Sequence, residues 1–171
     1  MINSERLCIV PFDMKYLEHY FSGFNAEITK YQWPDPFESL EDARSVLQGF
    51  LDEMDQEETL LFSVLSKNGD FLGSVELHGL TEDCPELGVW IIGSEQNKGY
   101  AYEALNAVLD YVRAKYNKAE FYYEADVRNT GSMKLLRKFD RSYKIIVQGL
   151  EKLTTDSGKD LELQGYVLSA F

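Results

Sequence analysis

The stretch Gln96-Asn97-Lys98-Gly99-Tyr100-Ala101 sits where a polar loop opens into a long, periodically apolar segment. Its residue types suit an anion. A helix start leaves backbone N–H groups without intrahelical partners and carries a partial positive charge. Together these make a phosphate site. Gly99 has no side chain to hold an anion away from the main chain. Lys98 adds a charge and Gln96 an amide donor. The loop ends in neither the Gly-Lys-Ser/Thr of a Walker motif nor a Gly-x-Gly-x-x-Gly turn. Glu76, Glu86, Glu124 and His78 lie in the apolar segments on either side. Carboxylates and imidazoles are the side chains that move protons near neutral pH, though each also has the plainer reading of a solvated or cation-paired group.

These groups need elements to place them. Residues 5–12 read as a first strand, followed by a helix from Asp13 through Phe24 with Asp13 as its cap. Pro34 and Pro36 make "YQWPDPF" a loop. Ser39, with Asp42 three residues on, opens a helix whose Leu40, Ala43, Leu47, Phe50, Leu51 and Met54 recur at helical spacing. "TLLFSVLS" and "DFLGSVELHGL" flank Asn68-Gly69, a hairpin signal. A strand over Glu86–Ile92 precedes the loop, and Ala101, Ala104, Leu105, Val108 and Val112 share one face of the helix after it. In "EFYYEADV", Phe121, Tyr123, Ala125 and Val127 point one way and Tyr122, Glu124 and Asp126 the other. "NTGSMKLLRKF" reads as a short helix, and the end as two long strands around Asp156-Ser157-Gly158. The order predicts an α+β fold, a mixed sheet with helices on its faces. Strand, loop, helix and strand from Glu86 to Val127 form a parallel crossover unit.

Length bounds the domain count. A chain of 171 residues suits one domain, residues 1–171, and no linker or repeat divides it. With 44% hydrophobic and 27% charged residues it reads as globular. No apolar run approaches the ~18 residues of a membrane span. The N-terminus lacks the basic-then-apolar layout of a signal peptide, so a cytoplasmic location is expected. A net charge of −12 argues against nucleic-acid binding and favours cationic partners. Cys8 and Cys84, with His19 and His78, give no zinc spacing, so no metal is expected.

The loop resembles the Arg/Gln-x-x-Gly-x-Gly/Ala signature of the GNAT acetyltransferase superfamily. Upstream, "ELGVWI" is similar to that family's central strand. Downstream, "NTGSMKLLRKF" is similar to the Asn-x-x-Ser-x-x-Leu-Leu segment of its ribosomal-protein-alanine (Rim-type) branch. "ERLCIVPF" and "ITKYQWPDPFESLEDA" also resemble that branch, so the likeness runs through nearly the whole chain. It implies the GNAT acyl-CoA acyltransferase fold, mostly antiparallel, with a central splayed parallel strand pair and helices on both faces. It implies acetyl-CoA as cosubstrate, with the pyrophosphate on Gln96, Asn97, Lys98, Gly99, Tyr100 and Ala101. The pantetheine arm would lie along the main chain of Val89, Trp90 and Ile91, where a backbone N–H is placed to hold the thioester oxygen as it gains charge.

The reaction so implied is direct attack of an amine on the thioester. An alkylamine of pKa ~10.4 is about a thousandth neutral at pH 7, a cost of roughly 4 kcal/mol. Glu86, at the head of the central strand, is the first candidate base; Glu76, Glu124 and His78 are rivals. The resemblance puts Ser132 near the leaving sulfur and Asn129 on the cofactor arm, although Asn129 is equally a helix cap. Arg137 and Lys138 are candidates for the nucleotide's further phosphate. The branch resemblance implies a peptide or protein N-terminal α-amine as acceptor; a small amine or polyamine is the alternative, and a homodimer is possible. A non-catalytic acyl-CoA-binding module and a nucleotide phosphotransferase are the other readings. One departure stands out: Asp140 and Arg141 occupy positions where the family commonly has Gly-Phe. That predicts a left-handed Asp140 and altered packing under the last helix.

Overall fold

The structure, a computed structural model, describes residues 1–171. One eight-stranded sheet runs through it in the order β1-β2-β3-β4-β5-β6-β8-β7. The strands are β1 (Ile2–Asn3), β2 (Leu7–Pro11), β3 (Thr59–Ser66), β4 (Phe71–His78), β5 (Glu86–Ile91), β6 (Glu120–Asp126), β7 (Tyr143–Thr154) and β8 (Asp160–Ala170). The helices are α1 (Leu17–Gly23), α2 (Leu40–Asp55), α3 (Tyr100–Tyr116) and α4 (Thr130–Arg137). All strand pairs are antiparallel except β5 with β6.

The expected elements are present, with two differences, and the closing hairpin adds a point of topology. The short strand β1 precedes the first expected one, held to β2 by Ile2↔Ile9. The expected helix from Asp13 splits: Asp13 caps a short 3-10 turn by accepting from Lys15 N, and α1 begins only at Leu17. In the closing hairpin it is β8, the later strand, that pairs with β6, which leaves β7 at the sheet edge.

Ser39 caps α2 as its spacing predicts, accepting from Asp42 N at 3.1 Å. The periodic apolar stripes then divide the core between the two sheet faces. On one face Leu105, Val108 and Val112 of α3 and Leu136 of α4 pack on Val75, Leu87 and Phe121. On the other, Ala43 and Leu47 of α2 and Tyr20 and Phe24 around α1 pack on Leu61, Phe71 and Trp90. Burying a side chain of this size stabilises by about 1.5–3 kcal/mol, so both layers clamp the sheet and fix β5 between them.

The Asp140-Arg141 departure resolves simply. Asp140 is not among the residues with left-handed backbone. Arg141 turns outward, and the flanking aromatics Phe139 and Tyr143 are buried, with Phe139 against Tyr102 at 4.9 Å between ring centroids. The ring under the helix is supplied from neighbouring positions, so no glycine turn is required.

Candidate active site

β5 and β6 pair at only two positions, Glu86↔Tyr122 and Leu87↔Tyr123, and then part. Before the split, Tyr122 N donates to Pro85 O at 2.9 Å. Main-chain groups alternate in direction along a strand. Leu87, Val89 and Ile91 therefore face β6 as Pro85 does, while Gly88 and Trp90 face β4. Two contacts agree: a Cβ on Gly73 of β4 would fall on the Trp90 carbonyl oxygen, and Ile91 O accepts from Gln96 Nε2 at 3.1 Å. Gly73 is thus a position where only glycine allows the strands to approach. In the gap, Val89 is left with main-chain groups directed at β6 and no strand to pair with. Trp90, expected as a main-chain contact in the gap, has its main chain turned toward β4, although the residue borders both cavities.

A cleft of about 410 Å³ opens from the gap and runs over the start of α3. Gly99 caps α3 in a left-handed conformation (φ 87°) with no side-chain cap, and Asn97 before it is also left-handed (φ 62°). The first α3 bond is Glu103 N to Gly99 O at 3.1 Å, so the N–H groups of the first turn have no intrahelical partner. Gln96, Asn97, Gly99, Tyr100 and Ala101 border this cleft, as do Val89 and Ile91. Lys98 does not. Its ammonium pairs with Glu95 at 2.9 Å, and its carbonyl accepts from Arg6 Nη1 at 2.9 Å. The Gln96 amide is turned to the end of β5 rather than presented as an anion donor. The cations beside the cleft are Lys30, Lys134 and Lys138; Arg137 is not among its walls.

Arg6 was not singled out by sequence. It braces the loop from behind, donating to Glu103 Oε2 at 2.7 Å and lying 4.6 Å over the Tyr100 ring. Nothing in the sequence around it marks it, because its partners lie more than ninety positions away.

A second, smaller cavity of about 150 Å³ adjoins the cleft. Tyr31, Gln32, Val89, Trp90, Asn129 and Ser132 border both. Its other walls carry Glu76, Glu86 and Glu124. Register explains the convergence: Glu76 lies opposite Gly88, His78 opposite Glu86, and Glu86 opposite Tyr122, so these side chains share one sheet face. Gly88 leaves the space above Glu76 open.

The three carboxylates are held differently. Glu76 is pinned: it accepts from the Tyr20 hydroxyl and from Ser74 Oγ at 3.4 Å, and His78 Nε2 lies 3.3 Å away. The hydrogen bond to Glu76 raises the His78 pKa, against the opposing effect of burial. Glu124 accepts from the Tyr122 hydroxyl at 2.9 Å. Burial and this carboxylate push the Tyr122 phenol up to about 12. Glu86 makes no side-chain hydrogen bond. Though it reaches the surface, the surrounding protein and then the Glu124 charge raise its pKa above the ordinary carboxylate value. A carboxylate that is unheld, accessible and made more basic is the one of the three suited to accept a proton.

Asn129 caps α4, its Oδ1 accepting from Ser132 N at 3.0 Å. Asn129 itself borders both cavities. Ser132 stands on the shared wall against Tyr123, whose phenol burial pushes up to about 12 while a hydrogen bond with Ser132 pulls it down. Trp33 borders the second cavity and is strongly exposed, Phe37 packs on Tyr20 and Phe24, and from the closing hairpin Leu163 contributes. Burial, followed by Glu120 and Glu82, raises the Cys84 thiol pKa, which disfavours the thiolate.

Comparison with known proteins places this geometry in context. Residues 6–140 match the model of an acetyltransferase (GNAT) domain. An uncharacterized N-acetyltransferase, p20, of Bacillus licheniformis is 26% identical over 155 residues, covering 87% of this chain and 86% of that protein. Among solved structures, the spermidine N-acetyltransferase of Vibrio cholerae in complex with CoA and spermine superposes with a TM-score of 0.81, 19% identity and 97% of each chain covered. The Salmonella typhimurium acetyltransferase that modifies the N-terminal serine of ribosomal protein L7/L12 gives 0.81 at 16% identity, covering 98% of this chain and 97% of that one. At these identities the two structures show a common fold.

Proposed function

The chain belongs to the GNAT acetyltransferase family and is an acetyl-CoA-dependent transferase, and on that premise we propose that it acetylates a primary amine carrying further positive charge. The supporting observation is the shared wall: the cleft over the α3 start and a cavity ringed by Glu76, Glu86 and Glu124 meet at Val89 and Ser132. In this reading the first-turn N–H groups of α3 bind the cofactor pyrophosphate, with Lys30, Lys134 and Lys138 nearby. The pantetheine arm pairs with the Val89 main chain in the gap. The thioester then ends between Val89 N–H, which receives the developing oxyanion, and Ser132, which faces the leaving sulfur.

One carboxylate, Glu76, is already engaged by the Tyr20 hydroxyl and the His78 ring. Glu86 and Glu124 remain to attract an ammonium ion, more negative charge than a single amine needs. That excess suits a small polyamine. Glu86 takes one proton from the bound ammonium, and the neutral amine attacks the carbonyl carbon. The C–S bond breaks as the amide forms, and the proton the nitrogen then sheds passes to the leaving thiolate to give the thiol.

A peptide N-terminal α-amine is the second reading. Its supports are the motif spacing from Asn129 to Leu136 and the likeness to the ribosomal-protein acetyltransferase. A screen of polyamines, N-terminal peptides and amino acids, followed by thiol release from acetyl-CoA, tests both. Turnover confined to polyamines supports the first reading and turnover confined to peptides the second. Absence of turnover with every amine in the screen defeats both readings of the acceptor.

A further inference from the structure

Gln32 Oε1 is buried with no hydrogen-bond partner. An unpaired buried acceptor costs about 1–3 kcal/mol, so its place matters. Gln32 borders both the cofactor cleft and the acidic cavity. Its main chain is fully engaged: Gln32 N donates to Thr29 O at 3.0 Å, and Gln32 O accepts from Lys159 Nζ at 2.8 Å. Lys159 reaches across from the β7–β8 turn and also donates to Thr29 O at 2.8 Å. Asp35 completes the clasp, 3.1 Å from Lys159 Nζ and accepting from Ser157 N at 3.1 Å. A segment of irregular backbone is thus fastened at both ends of Gln32, while the side-chain oxygen it carries is left unused.

We propose that Gln32 Oε1 binds an N–H of the acceptor amine, and that Lys159 is the positioning residue that holds it there. The inference rests on the amine-acetylation reading above. Its chemistry is specific to the neutral amine. A carboxylate stabilises the ammonium form, which has no lone pair to attack with. A neutral carboxamide oxygen accepts an N–H from the amine without favouring the charged form to the same degree. Glu86 draws the proton off; Gln32 keeps what remains oriented, with its lone pair toward the thioester.

The test uses the full-length protein with acetyl-CoA and the best acceptor from the screen. Gln32→Met, which keeps length and removes the oxygen, is expected to lower kcat/KM for the amine at least about tenfold. CoA affinity by calorimetry should stay within about twofold. Gln32→Glu should raise the pKa read from the kcat profile, which belongs to the bound amine, because a carboxylate holds the ammonium form. Lys159→Met should lower kcat/KM as Gln32→Met does, Lys159→Arg should restore part of it, and the double variant should be no worse than the worse single one. Unchanged amine kinetics in Gln32→Met with an active wild type overturns this inference alone. A loss of CoA affinity that accounts for the kinetic loss also overturns it, assigning the oxygen to the cofactor arm. A wild type that acetylates no amine overturns the functional reading, and this inference with it.

Discussion

Glu86 and Tyr122 face each other in one of the two paired positions between β5 and β6, and beyond Leu87↔Tyr123 the strands separate. The last paired residues therefore stand at the mouth of the gap. A carboxylate at the head of β5 is thereby delivered to that mouth, where the proposed reading brings the thioester.

Replacing Glu86 with Gln removes the proposed base while keeping its size. The expected loss in kcat/KM is ~10²–10⁴-fold, with CoA affinity retained. The raised pKa of Glu86 sets the sign of the pH effect. Activity falls as pH drops through that pKa, because the carboxylate is then protonated, and the acid limb lies above the ordinary carboxylate range. The variant should lose this limb. A pH profile of kcat/KM checks it, and an unaltered profile rejects Glu86 as the base.

At Gly99 the backbone is left-handed, and a Cβ would come within 3.3 Å of Arg6 Nη2. Gly99→Ala should cost about 1–2 kcal/mol in stability and weaken CoA binding by shifting the first-turn N–H groups. Thermal unfolding together with calorimetry reads both. A variant that binds CoA normally would disconnect this helix start from the cofactor.

Ser132→Ala should reduce kcat more than it changes KM for the amine, since a group facing the leaving sulfur acts in the transition state. Asn129→Ala should behave differently, losing about 1 kcal/mol of stability with the α4 cap. Comparing kcat and melting temperature for the two variants separates chemistry from capping. Equal behaviour would mean that Ser132 serves only the helix.

Asp126 is fully buried and accepts from Arg128 Nε at 2.8 Å, Arg128 Nη2 at 2.7 Å and Glu162 N at 2.9 Å. The Arg128 guanidinium holds its carboxyl down to about 2, against the effect of burial. Because the folded-state pKa is depressed, the stabilisation is present above the unfolded value and is lost as pH falls toward about 2. Asp126→Asn should cost roughly 2–4 kcal/mol and flatten the acid side of the stability curve. Chemical denaturation at pH 7 and at pH 3 measures both effects.

The sequence by itself determined the elements and their order. Apolar periodicity, the Ser39 cap, the Asn68-Gly69 turn and the Gly99 helix start are local signals. Each acts within a few residues, so each is legible without partners. Alternation in β6 correctly separated Tyr122 and Glu124 from Phe121 and Tyr123, because side-chain direction in a strand depends on parity alone. What depends on partners distant in the chain was not legible. Parity between β4 and β5 decided that Val89 and not Trp90 offers its main chain to the gap. Long-range hydrogen bonds decided which carboxylate is pinned and which is unheld. Lys98 and Gln96, expected at the anion, turn instead to Glu95 and to Ile91 O, near neighbours that only the bend of the loop brings beside them. Arg6 and Lys159 gave no local sign, since their roles arise only when β2 meets α3 and the β7–β8 turn meets the loop at Thr29–Asp35. Short-range backbone preferences write the elements into the chain; the electrostatic state of a side chain is set by whatever the fold brings beside it.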